Sequence, residues 1–228
     1  MPPITAAGHV VIDTPSPLHF ALFPVQIVAL IATIAQYLSP YPVIRRIARQ
    51  NNTGHFSYLP YLTNFINSCL STFYGFLIRD TFVMMLNSFG VTVTAAYLFA
   101  YQRYYHGRMR LLVEIFLSLV TLLGACYQAS NMEESKGRYF LGAAQNFISI
   151  ACFVAPLATV RVVFESRSAE SVPFLLALMN FFSSLSWYFY GVIIDDWFVQ
   201  LPNLLGIFFS LMQLSLFVIF PPARFVVI

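Results

Sequence analysis

The sequence predicts an all-α membrane protein, with seven transmembrane helices laid out as two three-helix bundles joined by a linker helix (3+1+3). Three observations carry this expectation. Of the 228 residues, 59% are hydrophobic and 9% charged, whereas a soluble domain carries about 25% charged residues. Lipid is therefore the solvent for most of the chain. Seven apolar stretches of spanning length follow one another with short connections. Finally, a shift of 116 positions lays Ala35–Gly90 on Ala151–Gly206 without a gap, with 17 identities in 56 pairs where composition alone gives about 4.

Each element follows from its local run. Residues 1–19 read as a segment outside the membrane. Phe20–Val43, His55–Ile78 and Phe82–Gln102 form the first three spans, in a bundle over 20–108. Arg110–Ala129, within 109–132, is the linker span. Tyr139–Val160, Val172–Ile194 and Phe198–Phe220 form the second bundle, over 133–220, and 221–228 is a short tail. Only helices and closed barrels satisfy their own backbone in lipid, and the alternation of a barrel strand is missing. Three spans reverse the direction of the chain, so one extra crossing is needed to insert both copies the same way up. The halves are then parallel repeats about an axis along the membrane normal.

The basic residues set the orientation. Nine arginines (Arg45, Arg46, Arg49, Arg103, Arg108, Arg110, Arg161, Arg167 and Arg224) fall on one side, and Arg79, Lys136 and Arg138 on the other. The richer side is cytoplasmic, which places the N-terminus outside or in a lumen and the C-terminus in the cytosol. The Asn51-Asn52-Thr53 sequon then faces the cytosol and stays unmodified. A net charge of +3 with scattered basic residues gives no nucleic-acid partner. Cys69, Cys126 and Cys152 all lie in apolar segments, so neither a disulfide framework nor a clustered metal site is expected, and no cofactor is implied. No basic region precedes a short apolar stretch at the N-terminus, so no cleaved signal peptide is expected.

Several motifs together resemble the SWEET sugar transporters. They are Ser39-Pro40, Leu59-Pro60, Ala155-Pro156, Ser171-Val172-Pro173-Phe174, Trp187-Tyr188-Phe189-Tyr190-Gly191 and Pro202-Asn203 with Gly206. The likeness runs from about Phe20 to Phe220. It implies facilitated, bidirectional diffusion of a mono- or disaccharide by alternating access. It also implies a plasma-membrane or Golgi/endomembrane location and a homo-oligomer, a trimer by resemblance.

The candidate substrate-binding residues are Asn87, Asn203, Trp187 and Ser71. Asn87 and Asn203 recur in both repeats, each roughly 9 Å inside the end of its span at 1.5 Å per residue. A neutral amide offers both a donor and an acceptor to a hydroxyl. The other use of such amides, holding helices together in lipid, is weighed against the binding role. Trp187 lies deeper than an interfacial anchor, and its indole offers an apolar platform with a donor N–H. Its repeat mate Ser71 gives a wall that can hydrogen-bond, or a serine bonded to its own backbone. The resemblance makes Pro40, Pro60, Pro156 and Pro173 hinges of an inner gate, each removing a backbone donor. It makes Tyr74 and Asp196 an outer gate closed by a hydroxyl–carboxylate bond. Gly75, Gly90, Gly191 and Gly206 allow close helix packing.

Apart from Glu114, no charged side chain lies well inside a span, and coupled carriers usually bury such groups. Uniport is expected. A PQ-loop carrier or cargo receptor of the same architecture, acting on a non-sugar ligand, is the competing reading, although no Pro-Gln dipeptide occurs in the chain. A seven-span receptor does not explain the duplication. An enzyme would need a nucleophile, acid pair or metal set in the bilayer, and none is found.

Overall fold

The structure is a computed structural model that describes residues 17–54, 56–152, 160, 163–169 and 174–221. Long apolar runs in lipid have no backbone partner except their own, so they coil. The resulting helices are α1 (Pro17–Leu38), α2 (Tyr41–Gln50), α3 (Leu59–Leu77), α4 (Thr81–Tyr104), α5 (Arg108–Ser130), α6 (Glu134–Cys152), α7 (Phe174–Ile193) and α8 (Trp197–Ile219). No strand occurs among the described residues.

Helices lie on the expected spans over the described residues; the fifth starts earlier than expected, at Glu134, and its continuation over 153–159 lies outside the described residues. Two further local corrections apply. Phe20–Val43 is not one helix. α1 ends at Leu38, and a turn at Ser39-Pro40 starts the short α2. Pro40 and Pro42 bring no N–H to continue the ladder, and Ser39 Oγ donates to the carbonyl of Gln36 at 2.8 Å. α2 buries Ile44 and Ile47 and leaves Arg45, Arg46 and Arg49 exposed. The second span starts later than expected, at Leu59. Pro60 therefore stands in the first turn of α3 and does not kink it, in a position where its missing N–H costs nothing. Pro156 and Pro173 lie outside the described residues.

α1+α2, α4, α5 and α8 each carry a stretch long and apolar enough to cross a membrane by length and composition. The cavity-facing helices α3 and α6 are more polar because their inner faces carry Asn64, Asn67, Ser71, Gln145 and Ser149.

The packing closes a ring. In each half the third helix lies between the other two: α4 between α1 and α3, and α8 between α6 and α7. The halves then meet through α1 on α7 and α3 on α6, and α5 stands outside the ring against α3, α4 and α6. Ring neighbours thus match pairwise under the repeat. The turns match too. Every non-glycine residue with positive φ among the described residues has its repeat mate in the same state: Asn51 (φ 50) with Arg167 (φ 53), and Arg79 (φ 59) with Asp195 (φ 53). Arg79 and Asp195 end α3 and α7 in a left-handed residue. The following amides, those of Asp80 and Asp196, bond back to the carbonyls of Gly75 and Gly191 at 2.8 and 2.9 Å. This is a helix stop followed at once by a new helix start.

Gly90 shows how closely the helices approach. A Cβ there would lie 2.3 Å from the ring of Tyr37 on α1. At Gly75 a Cβ would meet the backbone nitrogen of Met84 at 2.8 Å.

Candidate functional site

The ring encloses a cavity of about 490 Å³, which reaches from Tyr74 at one end to Pro40 and Pro60 at the other. The lining is uncharged among the described residues and rich in amides and hydroxyls. Such a lining presents hydrogen-bond donors and acceptors without formal charge among the described residues.

At the Tyr74 end of the cavity two bonds mirror each other. Tyr74 Oη donates to Asp196 Oδ2 at 2.7 Å, and Tyr190 Oη donates to Asp80 Oδ2 at 2.6 Å. Each carboxylate also caps a helix: Asp80 Oδ1 accepts from the amide of Val83 at 3.0 Å, and Asp196 Oδ1 from that of Phe198 at 2.9 Å. A carboxylate at a helix start is favoured by the N–H groups it meets, and this holds both aspartates where the tyrosines reach them. Sequence reasoning selected only Tyr74 and Asp196. Tyr190 and Asp80 are their repeat mates, so the second bond could have been found from the 116-residue offset.

Asn87 and Asn203 both line the cavity, half-buried. Each donates one amide N–H to a backbone carbonyl of its own helix, Asn87 to Val83 at 2.8 Å and Asn203 to Val199 at 2.7 Å. These bonds are intrahelical and hold no second helix. They fix each amide in one orientation; Asn87 Oδ1 also accepts from the hydroxyl of Tyr37 on α1 at 3.5 Å, a bond between helices that Asn203 does not share among the described residues.

Trp187 forms part of the cavity wall, with its ring against Phe82 and Tyr190 at centroid distances of 5.6 and 5.5 Å. Its N–H is not free for a ligand, because it donates to Thr33 Oγ1 at 2.8 Å. Ser71 lines the cavity and is buried. Pro40 and Pro60 both line the cavity, at the end away from Tyr74. Glu114 lies outside the cavity lining, where it accepts from Tyr58 Oη at 2.7 Å and Arg110 Nε at 2.8 Å.

A further layer of polar contacts was not anticipated. Thr33 Oγ1 lies 3.3 Å from Ser183 Oγ across α1 and α7, and Ser149 Oγ donates to Asn67 Oδ1 at 2.8 Å across α6 and α3. The two contacts are repeat mates of each other. In lipid, hydroxyl and amide bonds of this kind join helices that have no hydrophobic reason to associate. Periodicity places such residues on an inner face but does not name their partners.

Comparison with known proteins decides the family. A family model described as sugar efflux transporter for intercellular exchange matches residues 23–108 and again residues 139–224. The chain belongs to the SWEET family. The two SWEET matches fall on the two repeats. The sugar transporter SWEET1 of Xenopus laevis is 30% identical over 195 residues, covering 85% of this chain and 90% of the relative. The bidirectional sugar transporter SWEET12 of Oryza sativa subsp. japonica is 30% identical over 204 residues, covering 87% of this chain and 68% of the relative. The solved structure of a eukaryotic SWEET transporter at 3.7 Å superposes with a TM-score of 0.84 at 28% identity, over 89% of this chain and 98% of that one. SWEETs are transporters, not enzymes, and this chain is a multi-pass membrane protein.

Proposed function

We propose that this protein is a facilitative, bidirectional sugar uniporter that works by alternating access. The observation that carries the reading is the pairing of Asn87 with Asn203 in an uncharged cavity, one from each repeat, each held by the same bond to its own helix. A sugar has no charge to attract and many hydroxyls to match, and paired amides supply donors and acceptors for them. Trp187 offers a flat apolar wall to the C–H face of a pyranose, and Ser71 faces the cavity from the equivalent place in the other half. The relatives are named as sugar transporters, one of them as bidirectional.

In this reading the two Tyr–Asp bonds form the outer gate. Pro40, Pro60, Pro156 and Pro173 mark the inner one, with the arginine-rich loops in the cytosol and the N-terminus outside or lumenal. Two parallel halves joined by side-chain bonds rock against each other, and the sugar gradient alone sets the direction. The exposed apolar face of α5, with Leu112, Phe116, Leu123 and Tyr127, meets lipid or a neighbouring protomer in a homo-oligomer.

The test is uptake of a radiolabelled hexose and disaccharide panel into proteoliposomes with no imposed ion gradient. Flux that is lost in Asn87→Ala and Asn203→Ala protein is expected. Equal counterflow by parent and both variants removes the pocket, and an absence of flux for every sugar removes the transport reading.

A further inference from the structure

We propose that Gln145 is a sugar-binding residue, forming the hydrogen-bonding wall of the cavity on the side away from Trp187. This rests on the transport reading above and assigns to that site a residue the sequence did not single out.

Gln145 lies on α6, lines the cavity and is 9% exposed. Its Oε1 has no hydrogen-bond partner. A buried amide oxygen without a partner is costly and is retained where something else supplies the donor. The repeat mate of Gln145 is Ala29, which is apolar and fully buried in the same core as Trp187 and Tyr190. The two halves therefore diverge at one place. One half sets a small alanine beside a large tryptophan; the other sets a long amide beside the small Ser71.

The repeat relation locates Gln145. Ser149→Asn67 mirrors Thr33···Ser183, and Thr33 also touches Trp187. Its mate Ser149 thus belongs beside Ser71, the mate of Trp187. Gln145 stands four residues before Ser149, one helical turn along the same face. The walls are then unlike. The Trp187 wall is flat and apolar, its N–H already given to Thr33. The Gln145 wall offers a carbonyl to hydroxyl donors, and its terminal torsion turns at little cost. Asn87 and Asn203 complete the chamber. Such a chamber orients a pyranose, with its C–H face toward the indole and a hydroxyl toward Gln145.

The experiment is counterflow of radiolabelled D-glucose and of sucrose by the full chain in proteoliposomes, with unlabelled monodeoxy glucoses as competitors. Gln145→Leu is expected to raise KM about two- to tenfold, the worth of one neutral hydrogen bond, without lowering the melting temperature. The discriminating readout is the ranking of competitors. The deoxy analogue that competes poorly with the parent should compete with Gln145→Leu protein as well as glucose does. Gln145→Ala, which installs the residue found at Ala29, repeats the measurement should the leucine variant fold badly. Asn146→Leu serves as a control: Asn146 is buried with an unpartnered Oδ1 but is not part of the cavity lining, and its KM should stay at the parent value. Parent-like KM and unchanged ranking in both Gln145 variants, with Asn87→Ala still inactive, overturns this assignment alone. A parent that moves neither sugar overturns the transport reading on which it stands.

Discussion

Tyr190 donates to Asp80 at 2.6 Å, the repeat image of Tyr74 donating to Asp196 at 2.7 Å. Both bonds run between halves, from the end of one half's second helix to the start of the other half's third. If the halves separate at that end, as the alternating-access reading requires, both bonds must break. A hydrogen bond to a charged group is worth about 1.5–3 kcal/mol, the strength a reversible latch of the proposed outer gate needs.

Removal of the latch should show as access. With a single cysteine placed at Ser71 in a background lacking Cys69, Cys126 and Cys152, a membrane-impermeant thiol reagent added from the Tyr–Asp side should react slowly. Tyr74→Phe or Tyr190→Phe should speed the reaction about tenfold, the lower end of that range, and the double variant more. A double variant no faster than the parent means the bonds do not hold that end shut.

The helix contact at Gly90 makes a stability prediction. Gly90→Ala places a methyl against the tip of the Tyr37 ring, so that side chain, bonded to Ser68 and Asn87, must shift, at about 1–3 kcal/mol. The measurement is thermal unfolding in detergent, with Tyr37→Ala as the partner. Gly90→Ala should unfold at lower temperature than the parent, and in the Tyr37→Ala background it should cost little or nothing further. Equal losses in both backgrounds would show that the cost lies elsewhere.

Much of this architecture was legible because lipid imposes one rule on every span and because the chain carries its fold twice. The duplication carries into the turns as well: Arg79 and Asp195, both left-handed, sit at equivalent places. What periodicity could not convey was pairing. Asn87 and Trp187 were placed in the cavity, but the bond of Asn87 to Val83 and of Trp187 to Thr33 depends on rotamers and on a neighbour far away in sequence. Pro60 falls inside the expected span because hydropathy begins before the helix does. Gln145 was missed because a glutamine in an apolar run, mated to an alanine, looks like a departure from the repeat and not a part of the site.

The bond from Trp187 to Thr33 should be visible as coupling. Thr33→Val leaves the indole N–H buried without an acceptor, at about 1–3 kcal/mol. Trp187→Phe removes that donor, so Thr33→Val should cost less in the phenylalanine background. A double-mutant cycle on unfolding in detergent should therefore return a coupling within the range of about 0.5–3 kcal/mol for contacting residues. Additive effects would mean the two side chains stabilise the fold independently.

Glu114 is the residue on which the uniport expectation is tested. It is the one acidic residue well inside an expected span, and a carrier that moves protons with its substrate needs such a group where the substrate passes. Here it is committed elsewhere. It accepts from Tyr58 at 2.7 Å and from Arg110 at 2.8 Å, on the linker helix and outside the cavity lining. Arg110 is 75% exposed at its side chain, so the ion pair itself adds little; the Tyr58 bond is the polar part of a contact from α5 to the start of α3 that Leu111 and Ile115 also make by packing. Glu114→Gln keeps an oxygen for Tyr58 and removes the charge. Sugar counterflow by this variant should stay within about twofold of the parent, as expected when only an exposed ion pair is lost. Solid-supported membrane recordings of the parent should show no proton current on sugar addition. A sugar-evoked current that disappears in Glu114→Gln would place the coupling site on the linker helix and end the uniport reading.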